Sequence, residues 1–142
     1  FEIPLPESFI MLSDTSAALP AKSVLVIDDN PAFRALLGEM LRAMGHDVIV
    51  YGSGASGLAA AHDKHFDVAF VDLMLRDASG EDVVLALRAV EPGPAIVLMS
   101  AADWNMGACP VEKRPDAFLA KPFDAGELFA VLTAASSHGP LD

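Results

Sequence analysis

The chain has a single cysteine, Cys109, so no internal disulfide framework can form. That usage fits a reducing compartment such as the cytoplasm. No uninterrupted apolar stretch approaches the roughly 18 residues of a membrane span. The opening residues lack the charged-then-apolar layout of a signal peptide. Cations are scarce: 9 Lys and Arg stand against 20 Asp and Glu, for a formal net charge of -11. A surface so acidic repels phosphate backbones and anionic lipids, so neither nucleic acid nor direct membrane contact is expected. Basic proteins or a divalent cation suit the charge better. What the chain does have is apolar content, 53% against 20% charged, which is a globular composition. Its 142 residues are enough for one domain and too few for two comfortable ones.

From Val24 onward, short apolar runs alternate with helical patterns. VLVI (Val24 to Ile27) is a continuous run of the kind buried on both faces of a sheet. It ends at Asp28, Asp29 and Asn30, and Pro31 follows. Asn before Pro predicts a helix start, with Asn30 as the cap. Phe33, Leu36, Leu37, Met40, Leu41 and Met44 then recur at helical spacing on one expected core face, and Gly45 stops the helix. The unit repeats. Strands are predicted at Val48 to Tyr51, Val68 to Val71, Ala95 to Met99 and Ala117 to Ala120. Helices are predicted at about Ser56 to His62, at Glu81 to Val90, and after Asp124, which stands in capping-box spacing with Glu127. Such alternation means parallel crossover units, hence a doubly wound α/β sheet with helices on both faces. Between Ser100 and Ala117 a helix is due, but Gly107, Pro110 and Pro115 leave room only for a short or irregular one. The four histidines (46, 62, 65 and 138) are expected to be exposed.

In parallel α/β sheets, ligands bind beyond the carboxyl ends of the strands. The first strand here ends in Asp28 and Asp29, the third in Asp72, the fourth in Ser100 and the fifth in Lys121. Any one of these could simply cap a strand where it meets water. Packing alone gives no reason to gather three carboxylates, which raise one another's proton affinity unless a cation offsets them. A hard divalent ion such as Mg2+ takes oxygen ligands and completes its shell with phosphate oxygens. Lys121 and Ser100 suit phosphoryl oxygens, and an Asp carboxylate is a plausible nucleophile. The pattern points to phosphoryl transfer onto an aspartate, with Asp72 central.

VLVIDDN, VDLMLRDASG, LMSA and FLAKPF resemble, in order and spacing, the motifs of response-regulator receiver domains. The match covers roughly residues 22–135. The resemblance implies a flavodoxin-like sheet of strand order 2-1-3-4-5. It further implies that Asp72 is the phosphoacceptor and that Asp28 and Asp29 bind Mg2+, Asp29 directly and Asp28 more through water. Met74 would lend its backbone carbonyl to the metal. Ser100 would be the switch hydroxyl, Lys121 the phosphate-facing lysine, Pro122 the residue of a cis peptide and Phe118 the rotating switch aromatic, unless Phe118 merely packs. The implied partners are a histidine kinase or a histidine phosphotransfer domain, and the implied catalysis is of the domain's own modification.

Three features depart from the family. Arg76 stands where proline is common, Met74 is apolar at a position thought to tune hydrolysis, and the fourth helix is disrupted. They leave a non-phosphorylated interaction module as the competing reading. An aspartate-nucleophile phosphatase is excluded, since Met74 occupies the place of the second Asp such enzymes need. Trp104 is expected to anchor a partner or cover the sheet edge, and Cys109 has no base or second thiol beside it. Phe1, Ile3, Leu5 and Pro6 look like the closing strand of a sensor-kinase ATP-binding domain. The expected layout is therefore a remnant at 1–12, a linker at 13–22, the receiver at 23–136 and a disordered tail at 137–142, as in the C-terminal receiver of a hybrid kinase. A free-standing receiver beginning at Met11 is the alternative.

Overall fold

The computed structural model describes residues 20–137. The opening stretch, the expected linker up to residue 19, and the tail beyond Ser137 with His138 lie outside the described residues. The apolar runs form β1 (Ser23–Ile27), β2 (Asp47–Tyr51), β3 (Val68–Asp72), β4 (Ala95–Ser100) and β5 (Ala117–Ala120). All pair in parallel in the order β2-β1-β3-β4-β5, the doubly wound order anticipated. The helices are α1 (Pro31–Ala43), α2 (Gly54–Asp63), α3 (Gly80–Arg88) and α4 (Ala125–Ser137). No helix among the described residues is long and apolar enough to cross a membrane.

Strand periodicity sorts the core into two halves. Val24 and Val26 of β1 face one side with Phe70, Val97 and Met99, where Leu37 and Leu41 of α1 and Leu128 and Leu132 of α4 pack. Leu25 and Ile27 face the other with Val71, Ile96 and Leu98, covered by Ala61 of α2 and by Val83, Val84 and Leu87 of α3. Leu36 departs from its expected place and is 54% exposed. One residue before Leu37, it is rotated about 100° off the buried stripe.

Local signals set the helix starts. Asn30 accepts from the Phe33 N–H at 3.0 Å, and Pro31 follows at the first helical position. Asp124 and Glu127 close a reciprocal capping box, with bonds of 2.8 and 3.0 Å. α2 begins two residues earlier than the alanine run suggests, because Ser53 caps it by accepting from Ser56 N–H at 3.1 Å. Between β4 and β5 the chain makes only two single 3₁₀ turns, Met106–Ala108 and Val111–Lys113. Pro110 separates them and supplies no N–H with which a longer helix could form.

Gly45 leaves α1 at a φ of 96°, a conformation costly for any side chain, and the His46 N–H bonds back to the Leu41 carbonyl at 3.2 Å. That reversal turns His46 inward. It is buried, against the expectation of exposure, and its Nδ1 accepts from the Lys22 N–H at 3.1 Å. Its Nε2 has no partner among the described residues. Burial, reinforced by Lys22, lowers its proton affinity below the ordinary value of 6.5. The folded protein therefore resists the proton that the unfolded chain accepts near that value, and stability declines as pH falls through it toward the lower folded value. A His46→Gln variant should show a flatter stability profile over that descent in denaturant titrations. An unchanged slope would remove His46 as its cause.

Candidate functional site

The carboxyl edge of the sheet collects the polar residues that end the strands. Each is held in line by a continuing backbone ladder. The Asp28 N–H donates to the Tyr51 carbonyl at 3.1 Å, Leu73 N–H to Met99 at 2.8 Å and Lys121 N–H to Ser100 at 2.8 Å. The start of α3 packs tightly beneath. Gly80 donates to the Leu73 carbonyl at 2.7 Å, and a Cβ at that position would fall on the Asp72 carbonyl oxygen and Leu73 Cα. Only glycine lets the helix start so near the end of β3.

Asp28 is fully buried, and both of its oxygens are engaged, Oδ1 by the Asn30 N–H at 2.9 Å and Oδ2 by Lys121 Nζ at 2.7 Å. The same ammonium reaches Asp72 Oδ1 at 3.4 Å. It also lies 4.0 Å from the centroid of Phe33, a ring that packs edge-on against Phe123. An aromatic face attracts a cation and leaves it few other neighbours. Asp29 Oδ2 accepts from the Arg76 N–H at 2.9 Å, with Arg76 Nε 3.8 Å away. One ligand oxygen from each of Asp28, Asp29 and Asp72 lies within 4.8 Å of the others. An all-oxygen, anionic set of this size fits a hard divalent cation that keeps part of its water shell. Burial first, then the Asp28 carboxylate, push the Asp72 carboxyl above its ordinary 3.8, and Lys121 pulls it partly back.

The other anticipated residues fall around this pocket. Ser100 is buried at the end of β4, and its Oγ accepts from the Ala102 N–H at 2.9 Å. The Lys121–Pro122 peptide is cis. Met74 stands two residues past Asp72 with its side chain 69% exposed. Phe118 is half-buried and stacks on Trp104 at 5.0 Å, with 24° between the rings. The Trp104 indole N–H donates to Glu81 Oε2 at 2.7 Å, so Trp104 covers the sheet edge while tied to α3. Cys109 is buried, and burial and Glu81 push its thiol up, which keeps it protonated.

Sequence reasoning missed Phe33, Arg76 and Asp77 as parts of the site. Asp77 accepts from the Gly54 and Ala55 N–H groups at 2.9 and 3.0 Å, and those two bonds hold its carboxyl below the usual range. It thereby ties the loop after β3 to the start of α2. The signal for Phe33 was available in its register on the first turn of α1. Arg76 is marked only as standing where proline is common, and nothing local marks Asp77. A groove of about 630 Å³ adjoins the carboxylates without containing them, lined by Met74, Arg76, Asp77, Ser79, Glu81 and Trp104 among others.

A doubly wound sheet with three carboxylates and a lysine at its carboxyl edge defines an α/β domain whose acidic set fits a divalent cation. The chain matches the sequence model of the Response regulator receiver domain over residues 24–133, and it belongs to that family. It is 34% identical over 111 residues to the DNA-binding response regulator MtrA of Mycolicibacterium smegmatis, covering 78% of this chain and 49% of the relative. It is 38% identical over 112 residues to the transcriptional regulatory protein KdpE of Mycobacterium tuberculosis, covering 79% of this chain and 50% of the relative. The chain thus spans about half the length of the curated relatives it matches. Among solved structures, a CheY-like receiver domain from Methylobacillus flagellatus superposes with a TM-score of 0.73 at 29% identity, over 82% of this chain and 99% of that one.

These relatives correct one expectation. Nucleic acid had been excluded on the net charge of -11. Yet MtrA is named as DNA-binding and KdpE as a transcriptional regulator. Charge counted over a segment constrains what that segment touches, and not what the rest of a longer regulator touches. The hybrid-kinase context finds no support in relatives of this kind either.

Because the raised proton affinity of Asp72 disfavours its ionised form in the folded state, that carboxylate costs stability once pH rises above 3.8. Asp72→Asn should therefore melt at a higher temperature than the parent near neutral pH without divalent cations. The gap should close as pH falls below that value. A variant less stable than the parent at neutral pH would contradict the charge crowding described.

Proposed function

We propose that this domain is the phosphoacceptor of a two-component signalling pathway, taking a phosphoryl group from phosphohistidine onto Asp72. The observation that carries the reading is the joint placement of Asp28, Asp29 and Asp72 with Lys121 inside one pocket. In the transfer, an Asp72 carboxylate oxygen attacks phosphorus in line with the histidine nitrogen. The new O–P bond forms an acyl phosphate as the P–N bond breaks, and the departing imidazole takes up a proton. Mg2+ held by Asp28, Asp29, Asp72 and the Met74 carbonyl would supply charge neutralisation on the phosphoryl oxygens. Lys121, already beside Asp72 and steadied over Phe33, stabilises the negative charge of the transferring group.

Asp72 must be ionised to attack, and Lys121 opposes the burial that would keep it protonated. Ser100 turns its hydroxyl from the Ala102 N–H toward the new phosphoryl group. Phe118 then leaves its stack on Trp104, which re-biases the 101–116 segment and the start of α4. Relatives named as DNA-binding and transcriptional regulators favour such a regulator as the setting, over the kinase context anticipated from Phe1, Ile3, Leu5 and Pro6.

Intact-mass measurement after incubation with Mg2+ and a small phosphodonor tests the transfer. The parent should gain one phosphoryl group and Asp72→Asn none. A folded parent that gains nothing would turn the reading toward an unphosphorylated interaction module. Trp104 supplies a second readout, as the sole tryptophan. Its fluorescence should change on phosphorylation of the parent, and an unchanged spectrum on a phosphorylated sample would remove the Phe118 movement.

A further inference from the structure

Among the described residues the three carboxylates are served by two cations, divided between them. Lys121 addresses Asp28 at 2.7 Å and Asp72 at 3.4 Å. Asp29 receives nothing from Lys121 in this arrangement and is addressed instead from the loop after β3. There the Arg76 N–H donates to Asp29 Oδ2 at 2.9 Å, and Arg76 Nε lies 3.8 Å from the same oxygen. Proline at this position could supply neither a backbone donor nor a charge. The Arg76 side chain is 87% exposed, so its guanidinium is held loosely and can leave at little cost, whereas the Asp29 side chain is only 18% exposed.

We propose that Arg76 is a built-in counter-cation for Asp29, its guanidinium standing beside a carboxylate of the candidate metal site until a divalent cation displaces the side chain. The proposal rests on the Mg2+ reading of the pocket. It makes Arg76 a positioning and affinity-setting residue that contacts no reacting atom. Without metal, its charge relieves the crowding of three acids. With metal, the same charge opposes the incoming ion, so the affinity of the pocket for Mg2+ is weaker than its carboxylates alone would give. The firmer backbone bond keeps the Asp29 carboxylate aimed throughout, and the guanidinium sets the strength of the competition.

Calorimetric Mg2+ titration of the parent, Arg76→Gln and Arg76→Glu tests this without any phosphoryl transfer. Removing the charge should tighten binding by about threefold at low salt, and reversing it should tighten binding further. The differences should shrink at high salt, where an exposed charge is screened. In metal-free buffer Arg76→Gln should lower the melting temperature, and should do so less in an Asp29→Asn background. Equal Mg2+ affinities for the three proteins at low salt would overturn the proposal even if that melting coupling were found. If Asp29→Asn binds Mg2+ as tightly as the parent, the pocket reading itself fails, and the competition falls with it. The melting cycle would still report whether the Arg76–Asp29 contact exists.

Discussion

The rest of this structure depends on holding three carboxylates against their mutual repulsion at one end of a sheet. Two of the three are buried, so the surrounding dielectric is low and the repulsion is poorly screened. Among the described residues Lys121 is the one cation that reaches two of them, and it does so from the end of β5, at the far edge from β2. Asp28 stands one residue past β1 and Asp72 ends the neighbouring β3. The pocket therefore exists only when β1, β3, β4 and β5 are all paired in register. Charge balance at the rim and strand order in the core are one requirement seen from two ends.

The sheet answers that requirement with nearly featureless strands. β3 is buried along its whole length and β1 along all but its first residue, so hydrophobic burial fixes their place without local polar contacts. Specific contacts begin where the strands stop. There the chain relies on close backbone approach at Gly80 and on side chains that bond across loops, as Asp77 does to α2 and Arg34 does to the Asp28 carbonyl. The strands are thus placed by apolar burial and the loops at their ends by polar contacts.

Much of this was legible before any coordinates. β5 was placed to the residue and the other strands within one residue, because buried β-branched runs bounded by Asp, Asn, Gly or Pro have few alternatives. The candidate site residues followed from the strand ends, since parallel sheets present their carboxyl edges to ligands. What escaped the sequence lies in loops and long-range contacts. Arg76 meets Asp29 across 47 positions and Asp77 meets Gly54 across 23, separations at which no periodicity speaks. His46 looked like an ordinary polar residue after a helix-stopping glycine, and only the sharp reversal at Gly45 puts it inside. The charge reading failed for a different reason. The relatives named as DNA-binding and transcriptional regulators are about twice as long as the matched segment, and net charge over that segment does not report what their other half touches.

The 101–116 segment has a consequence for how this face yields. A helix would hold it with a ladder of cooperating backbone bonds, so that reshaping it would mean unwinding several at once. Here its own backbone bonds form two short turns, and the remaining hold comes from separate clasps. Trp104 sits on Phe118 and Glu81, and the Arg114 guanidinium bonds the Cys109 carbonyl at 2.8 Å. Clasps of that kind release one at a time. The free-energy surface of this face is accordingly a flight of shallow steps and not a single barrier. Segments held in this way are drawn from the low-stability end of a protein, where amide protons exchange through small local openings and not through global unfolding.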